Sequence, residues 1–472
     1  MQKSVAIQLD SESQQPLYLQ VFESLKKQIE EGRLEEHVKL PPIRKMAGEL
    51  GVNNSTIVNA YRKLELHHLA YSKTGSGTYV ASRNVQERTD ERSAYSIEVP
   101  SAVEKSSAII DFTGVSPSPD YFPVSSFRAL ADQVLERDGG YAFESLDSQG
   151  YPPLRETLVH WLKRRNIVGS SCNIHITSGS QQSLDIITKA LVNPNDVVAV
   201  ESPVYQGALA TFSSRGAKIL EVPLLADGID LNRLEERVRR TPIRFLYTMP
   251  SFQNPTGISW TLRKKQQLLV MAEKYGFYIV EDDFLSEFSY GRKNLQTLRE
   301  LDSNDRVIYV KSIAKVLMPG LRLGFMLTPA DLTETIRASK YLSDIATSGL
   351  SQRVVDLYLN STVWDVEFKD MVRGCRIRYN LMVEQIQKNF PDGATYLPPQ
   401  GGFCFWFTLP EGRTTEALAR KALQSGIRLQ PGHTFFLNQK PNKHFRLGFG
   451  NVENNAILRA MPVLGQIIRN HL

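Results

Sequence analysis

The sequence predicts an α/β fold with a mostly parallel central sheet, preceded by a small helical head. Three observations carry this. From Ile109 onward, apolar β-prone runs alternate with helical stretches. That alternation belongs to parallel sheets whose strands are joined by covering helices. Ahead of it, three short helical patterns and two β-prone runs occupy residues 1–81. Between the two lies a polar, charged stretch, residues 82–107, almost free of apolar periodicity. It reads as a tether of about 26 residues, flexible over part of its length. The expected division is a head of 1–81, a linker of 82–107 and a body of 108–472.

Composition narrows the class. A chain of 472 residues has room for two or three domains with ample core. Its net charge of +6 permits an anionic partner without requiring one. Cys172, Cys375 and Cys404 are odd in number and far apart, with no CxxC spacing. No disulfide framework and no metal site are expected, and a reducing cytoplasm fits best. The amino terminus lacks the apolar core of a signal peptide, and no run of about 18 apolar residues suggests a membrane span.

In the head, Leu17, Val21, Leu25 and Ile29 stand at helical spacing within Pro16–Glu31, ahead of Gly32. Pro41-Pro42 opens a short helix, Ile43–Leu50, which Gly51 stops. Asn53-Asn54-Ser55-Thr56 supplies caps for a third helix, Ile57–Leu69, with Ile57, Ala60, Tyr61 and Leu64 turned inward. Ala70–Val80 then sets two β-prone runs around a glycine-rich turn. Three helices and a hairpin are the plan of a winged helix-turn-helix, whose third helix enters the major groove by its polar start.

The segments KLPPIRKMAGELGVNNSTIVNAYRKLE and KTGSGTYV resemble the DNA-binding domain of GntR-type bacterial regulators. The resemblance implies double-stranded DNA as a partner and Arg44, Asn54, Ser55, Thr56, Lys73, Thr74 and Gly75 as its contacts. Asn54 stands where many relatives carry arginine, so a guanine contact there lacks its usual donor. Met1–Val80 holds ten Lys/Arg against nine Asp/Glu. A single module this neutral binds DNA weakly, and pairing two modules in a dimer offsets that.

In the body, the strand candidates are Val197–Val200, Ile219–Val222, Phe245–Tyr247, Tyr278–Val280 and Val307–Val310. Helices such as Gln182–Leu191 and Leu262–Tyr275 lie between them. Functional residues of such sheets gather at the strand ends. Ser178-Gly179-Ser180-Gln181 precedes a helix expected to begin near Gln182, where free N–H groups can cradle a phosphate. Glu201-Ser202-Pro203-Val204-Tyr205 follows a strand and can lay Tyr205 on an aromatic ring. Asn254-Pro255-Thr256-Gly257 makes a turn that aims the Asn254 amide. Glu281-Asp282-Asp283-Phe284 follows the next strand and can hold a carboxylate against a pyridine nitrogen.

The stretch Val310–Gly324 comes next. A lysine in apolar surroundings loses hydration, so its neutral amine becomes a nucleophile, and Lys315 is placed that way. Arg322 offers a planar fork for a phosphate and Ser312 one more donor. Together they can hold a phosphorylated aldehyde as a Schiff base.

This order of motifs, with Gln149–Arg155 and Phe445–Phe449, resembles the fold-type-I pyridoxal-phosphate aminotransferases from about Asp111 to the end. A smaller carboxy-terminal α/β subdomain is implied. A GntR-like head on such a body resembles the MocR subfamily of GntR regulators. By that resemblance Lys315 bonds the cofactor, pyridoxal 5'-phosphate, and Asp282 pairs with its ring nitrogen. Asn254 binds the ring hydroxyl and Tyr205 stacks on the ring. Ser180, Gln181, Ser312 and Arg322 hold the phosphate, and Arg446 clamps the carboxylate of an amino-acid ligand. Three positions depart from the pattern: Phe284 and Ser145 replace frequent tyrosines, and Gly207 replaces the arginine of GABA-responsive members.

The expected function is a transcription regulator that senses an amino acid, an amine or pyridoxal phosphate itself. A working aminotransferase with a DNA-binding head is the alternative, and a DNA-binding regulator with an empty body is the third. The resemblance also implies a homodimer, and a linker this long permits exchanged heads.

Overall fold

The computed structural model describes residues 7, 9–10, 13, 15–35, 37–66, 69–73, 77–81, 109–291 and 295–472. Thr74, Gly75, the side chain of Lys73 and the linker of 82–107 lie outside the described residues. The chain divides into two units, Met1–Ala94 and Tyr95–Leu472.

In the first unit, α1 (Leu17–Glu30) buries Val21, Leu25 and Ile29 as expected, with Phe22 beside them, whereas Leu17 at its start is exposed. The second helix, α2 (Ile43–Leu50), begins after Pro42 and ends at Gly51, whose φ of +64° is a left-handed cap that glycine adopts without steric cost. The third, α3 (Asn54–Leu66), starts one turn earlier than the caps suggest. Asn54, Ser55 and Thr56 are its first turn, and the Asn53 carbonyl accepts from Thr56 N–H at 3.0 Å. It also stops before Leu69, whose N–H bonds back to the Leu64 carbonyl at 2.8 Å, a closing pattern of helix ends. Ile57, Ala60, Tyr61 and Leu64 are buried as expected. Two strands, β1 (Ala70–Lys73) and β2 (Gly77–Val80), pair antiparallel with Ala70 opposite Val80.

The second unit opens with a short strand, β3 (Ile110–Asp111). Its main sheet takes β4 (Ile174–Thr177), β5 (Val197–Ser202), β6 (Lys218–Leu225), β7 (Gly228–Ile229), β8 (Phe245–Thr248), β9 (Tyr278–Asp283), β10 (Val307–Lys311) and β11 (Gly324–Leu327). The order is β4-β11-β10-β9-β8-β5-β6-β7. The run from β10 to β6 is parallel, β11 is antiparallel to both neighbours, and β7 folds back on β6. Every residue of β4, β8, β10 and β11 is buried, as strands covered on both faces must be.

The acidic run of β9 departs from the sequence expectation. Glu281, Asp282 and Asp283 do not follow the strand; they lie within it. The ladder with β10 continues through them, with Val310 opposite Asp282 and Lys311 opposite Asp283. Successive strand residues face opposite sides, so Asp282 is turned away from its two acidic neighbours. Asp283 meets Lys311 Nζ at 3.2 Å, Arg165 at 3.5 Å and the Tyr309 hydroxyl at 2.6 Å. Those partners hold its carboxyl well below the usual range despite burial. Glu281 accepts from the N–H groups of Leu298 and Arg299 at 2.8 and 2.9 Å, which start a short helix.

A smaller carboxy-terminal sheet takes β12 (Thr395–Tyr396), β13 (Cys404–Thr408), β15 (Gln430–Pro431) and β16 (His444–Gly448), while β14 (Ile427–Arg428) pairs with β3. The helices Thr362–Asn389 and Asn454–Arg469 pack together and onto its core. One apolar core runs from the main sheet into this lobe, through Ile186, Val310, Phe405, Phe445 and Ile457.

The buried charge cluster gives a prediction. Lys311 is 1 % exposed and also meets Glu287 at 2.6 Å. Lys311→Met leaves two buried carboxylates with too little positive charge, a loss of about 3–5 kcal/mol. A folded pKa held low contributes stability at neutral pH that is lost as pH falls through it. Unfolding midpoints should therefore show a large deficit at pH 7 that shrinks in acid.

Candidate functional site

The helix Ser180–Leu191 begins two residues earlier than the sequence suggests, so Ser180 and Gln181 form its first turn. First-turn N–H groups have no partners within the helix and carry its positive end. Gly179 precedes them at φ +97°, and a Cβ there would stand 3.4 Å from the Arg322 guanidinium. Arg322 comes from the loop between β10 and β11, and its Nη2 donates to the Ser178 carbonyl at 2.8 Å. Ser312 caps the short helix Ile313–Val316 and accepts from Lys315 N–H at 3.4 Å. Cation, hydroxyls and helix start thus form an anion cradle.

Tyr205 follows β5, and its hydroxyl donates to Gln181 Oε1 at 3.1 Å. Gln181 Nε2 in turn donates to the Gly207 carbonyl at 3.1 Å and to Thr211 Oγ1 at 2.6 Å. A Cβ at Gly207 would meet both the Tyr205 ring and Gln181 Oε1 at 2.5 Å. Any larger residue there, arginine included, requires the Tyr205 ring or the Gln181 side chain to shift.

Asn254 follows β8 on a loop braced by its neighbour. Gln253 Nε2 donates to Glu201 Oε2 at 3.1 Å and to the Pro203 carbonyl at 2.8 Å. Its oxygen accepts from Thr256 N–H and hydroxyl at 2.9 and 2.7 Å. Glu201 also accepts from the Thr248 hydroxyl at 2.5 Å and Met249 N–H at 3.2 Å. One buried carboxyl, pushed up to about 7 by burial, therefore ties the ends of β5 and β8 together.

Asp282 is buried, and its Oδ2 accepts from the Tyr247 hydroxyl at 2.9 Å. Its Oδ1 is buried with no partner among the described residues. Burial is the largest influence on this carboxyl, which sits at about 7. The Lys315 amine stands 3.5 Å from the Val115 carbonyl. Burial first, then the Arg446 and Arg322 charges, lower it to about 8, so neutral amine is available near physiological pH.

Ser180, Gln181, Tyr205, Asn254, Asp282, Ser312, Lys315 and Arg322 all line one pocket. The structure thus brings together every residue expected at the cofactor. Arg446 lies on β16 and is not on that wall. Its Nη1 donates to Asn254 Oδ1 and its Nη2 to the Thr113 carbonyl, each at 2.6 Å. This pairing turns the amide nitrogen of Asn254 away from the guanidinium. Val115, Met249 and Phe284 also line the pocket. Phe284 is visible in the sequence as a departure, whereas Val115, Met249 and the Asp282 partner Tyr247 carry no motif. Ser145 is exposed. In the other unit, Arg44 near the start of α2 and Asn54 and Ser55 in the first turn of α3 are exposed, with Thr56 half-buried.

Comparison with known proteins agrees with both units. Residues 119–462 match the family model for aminotransferase class I and II, and residues 17–80 match that for bacterial regulatory proteins of the gntR family. The chain is 30% identical to an aromatic-amino-acid aminotransferase of Thermococcus litoralis over 78% of its own length and 90% of the relative's. It is 27% identical to the probable rhizopine catabolism regulatory protein MocR of Rhizobium meliloti over 94% of its own length and 92% of the relative's. A kynurenine aminotransferase structure from Pyrococcus horikoshii superimposes with a TM-score of 0.75 at 30% identity, covering 85% of this chain and 97% of that one. The chain thus belongs to the aminotransferase class I and II family and joins that fold to a gntR-type helix-turn-helix, the arrangement of MocR-like regulators.

Proposed function

We propose that this chain is a DNA-binding transcription regulator whose body holds pyridoxal 5'-phosphate and senses an amino acid, an amine or the cofactor itself. The observation that carries the reading is the partnerless Oδ1 of buried Asp282, in a pocket whose remaining wall suits a phosphorylated aromatic aldehyde. An unpaired buried acceptor calls for a donor, and a protonated pyridine nitrogen is one. The solved Pyrococcus relative was obtained with pyridoxamine phosphate, and its fold is shared.

Each residue has its part. Asp282 receives the ring N–H, with Tyr247 fixing its other oxygen. The Ser180 and Gln181 turn, Ser312 and Arg322 bind the phosphate. Tyr205 covers a ring face, and Asn254, oriented by Arg446, donates to the ring hydroxyl. When bound, the cofactor supplies an aldehyde carbon for which the Lys315 amine and an incoming amine compete. Arg446 receives an effector carboxylate by giving up or sharing its bonds to Asn254 and Thr113. In the head, Arg44, Asn54, Ser55, Thr56 and the wing residues Lys73, Thr74 and Gly75 contact DNA. A homodimer offsets the weak affinity of a nearly neutral head, and the linker of 82–107 allows heads to be exchanged between protomers. The effector changes the freedom or spacing of the heads, a coupling between two sites. The cytoplasm suits three cysteines that are all free; among the described residues no helix is long and apolar enough to cross a membrane.

The second reading, a working aminotransferase, is favoured by the intact set of Lys315, Asp282 and Arg446. Mixing the purified protein with candidate amino acids separates the two. The sensor predicts a changed cofactor spectrum with no keto acid formed; stoichiometric keto acid and pyridoxamine phosphate would favour the enzyme.

The pocket also sets a pH dependence. In cofactor-free protein, Asp282, Glu201 and Glu281 sit at about 7, each raised by burial from ordinary values of 3.8, 4.5 and 4.5. A raised carboxyl contributes stability that is full below its unfolded pKa and is lost as pH rises through the folded one. The melting temperature of cofactor-free protein should fall between about pH 4 and pH 7, the interval from their ordinary to their raised values. Asp282→Asn should make that fall shallower.

A further inference from the structure

Behind the phosphate cradle lies a second set of polar groups, none of which lines the pocket. Gln182 sits one residue past the cradle, and its oxygen accepts from Ser178 N–H at 2.6 Å. Its nitrogen donates to Asp344 Oδ2 at 3.0 Å. Asp344 ends the helix Thr333–Asp344 and is held from two more sides. Lys340, fully buried, donates to Oδ1 at 2.8 Å, and the Thr347 hydroxyl stands 3.1 Å from Oδ2. Thr347 also lies 3.3 Å from the Ile176 carbonyl on β4, two residues ahead of Ser178. Asp344 therefore reaches the cradle by two routes, one through Gln182 and one through β4.

The backbone beside it is strained. Ile345 has φ +58° and ψ −62°, and Ala346 N–H bonds back to the Asp344 carbonyl at 2.5 Å. This is a γ-turn of the rare, strained hand, centred on a β-branched residue. Such a conformation persists only where its surroundings over-determine it. The side chain of Ile345 is 58% exposed, so packing of that side chain does not impose the turn. The bonds that fix Asp344 lie directly beside it.

We propose that Asp344 is a positioning residue for the cofactor phosphate, acting through Gln182 on the backbone of Ser178–Ser180. The carboxylate orients the Gln182 amide so that its oxygen faces Ser178 N–H. That fixes the peptide preceding Gly179 and hence the direction of the first-turn N–H groups. The Ser178 carbonyl is at the same time the acceptor for Arg322, so the arginine is set by the same peptide. The proposal rests on the reading of the pocket as a pyridoxal phosphate site and deepens it.

Two aldehydes test it: pyridoxal phosphate and unphosphorylated pyridoxal, each titrated into full-length protein and followed by the absorbance of its adduct with Lys315. Asp344→Ala should weaken pyridoxal phosphate about 10-fold, the effect of leaving a buried amide wrongly satisfied. Pyridoxal affinity should stay within about twofold, since the loss acts through the phosphate alone. Gln182→Met should give the same selective loss. The double variant should be little worse than either single one, because both break one chain of bonds. Equal pyridoxal phosphate affinity in wild type and both variants overturns the proposal, as does an equal loss for both aldehydes. Should Asp344→Ala fail to fold, Gln182→Met decides alone. A wild-type protein that takes neither aldehyde refutes the reading of the pocket and this proposal with it, whereas unselective variants beside a binding wild type refute the positioning role only.

Discussion

A carboxyl group buried at the end of a central strand, with one oxygen satisfied and the other not, is the constraint on which the site depends. Asp282 has no cation in direct contact among the described residues, and only Tyr247 donates to it. An isolated buried charge is costly, so burial raises this carboxyl to about 7. A cationic ring donor relieves both the missing bond and the missing charge. The neighbouring Asp283 is the contrast. One residue further along the same strand, it faces the other side and is held ionised by Lys311 and Arg165. The alternation of a strand thus divides two adjacent aspartates between chemistry and scaffold.

The rest of the pocket is held in place by bonds that run behind it. Glu201 and Gln253 tie two strand ends together, so Tyr205 and Asn254 are carried by one brace. Arg446 orients Asn254 from the small lobe, which shares its apolar core with the main sheet. On the function proposed, a ligand that draws on Arg446 acts on Asn254 and, through it, on the cofactor. This offers a regulator a way to feel an amino acid without turning it over. Sensor and enzyme then differ only in the steps after binding, and the same residues serve either.

Much of this was legible in the sequence because the fold places chemistry at strand ends, and strands covered on both faces announce themselves as apolar runs. Lys315, Asp282, Asn254 and the Ser180–Gln181 pair each sit beside such a run. Boundaries were less legible. The helix carrying Ser180 and the helix carrying Asn54 both start earlier than their polar residues suggest, since a first turn and a cap ask for the same residue types. Glu281–Asp283 read as following the strand because acidic residues inside a buried strand contradict its usual pattern; the partners that permit them, Lys311, Arg165 and the Leu298 and Arg299 N–H groups, are distant in sequence or lack any motif. Tyr247 and Asp344 were illegible for the same reason, as ordinary residues made important by what folds against them.

On the function proposed, a cofactor held in the body is felt by the head. The most direct measurement is DNA affinity at one fixed salt concentration, with and without pyridoxal phosphate, for wild type and Lys315→Ala. Salt must be fixed because phosphate contacts make affinity fall steeply with ionic strength. The cofactor should shift wild-type affinity or the pattern of protected sites, and the variant, deprived of its amine, should not respond. Identical DNA binding by both proteins, with the cofactor present or absent, would contradict it.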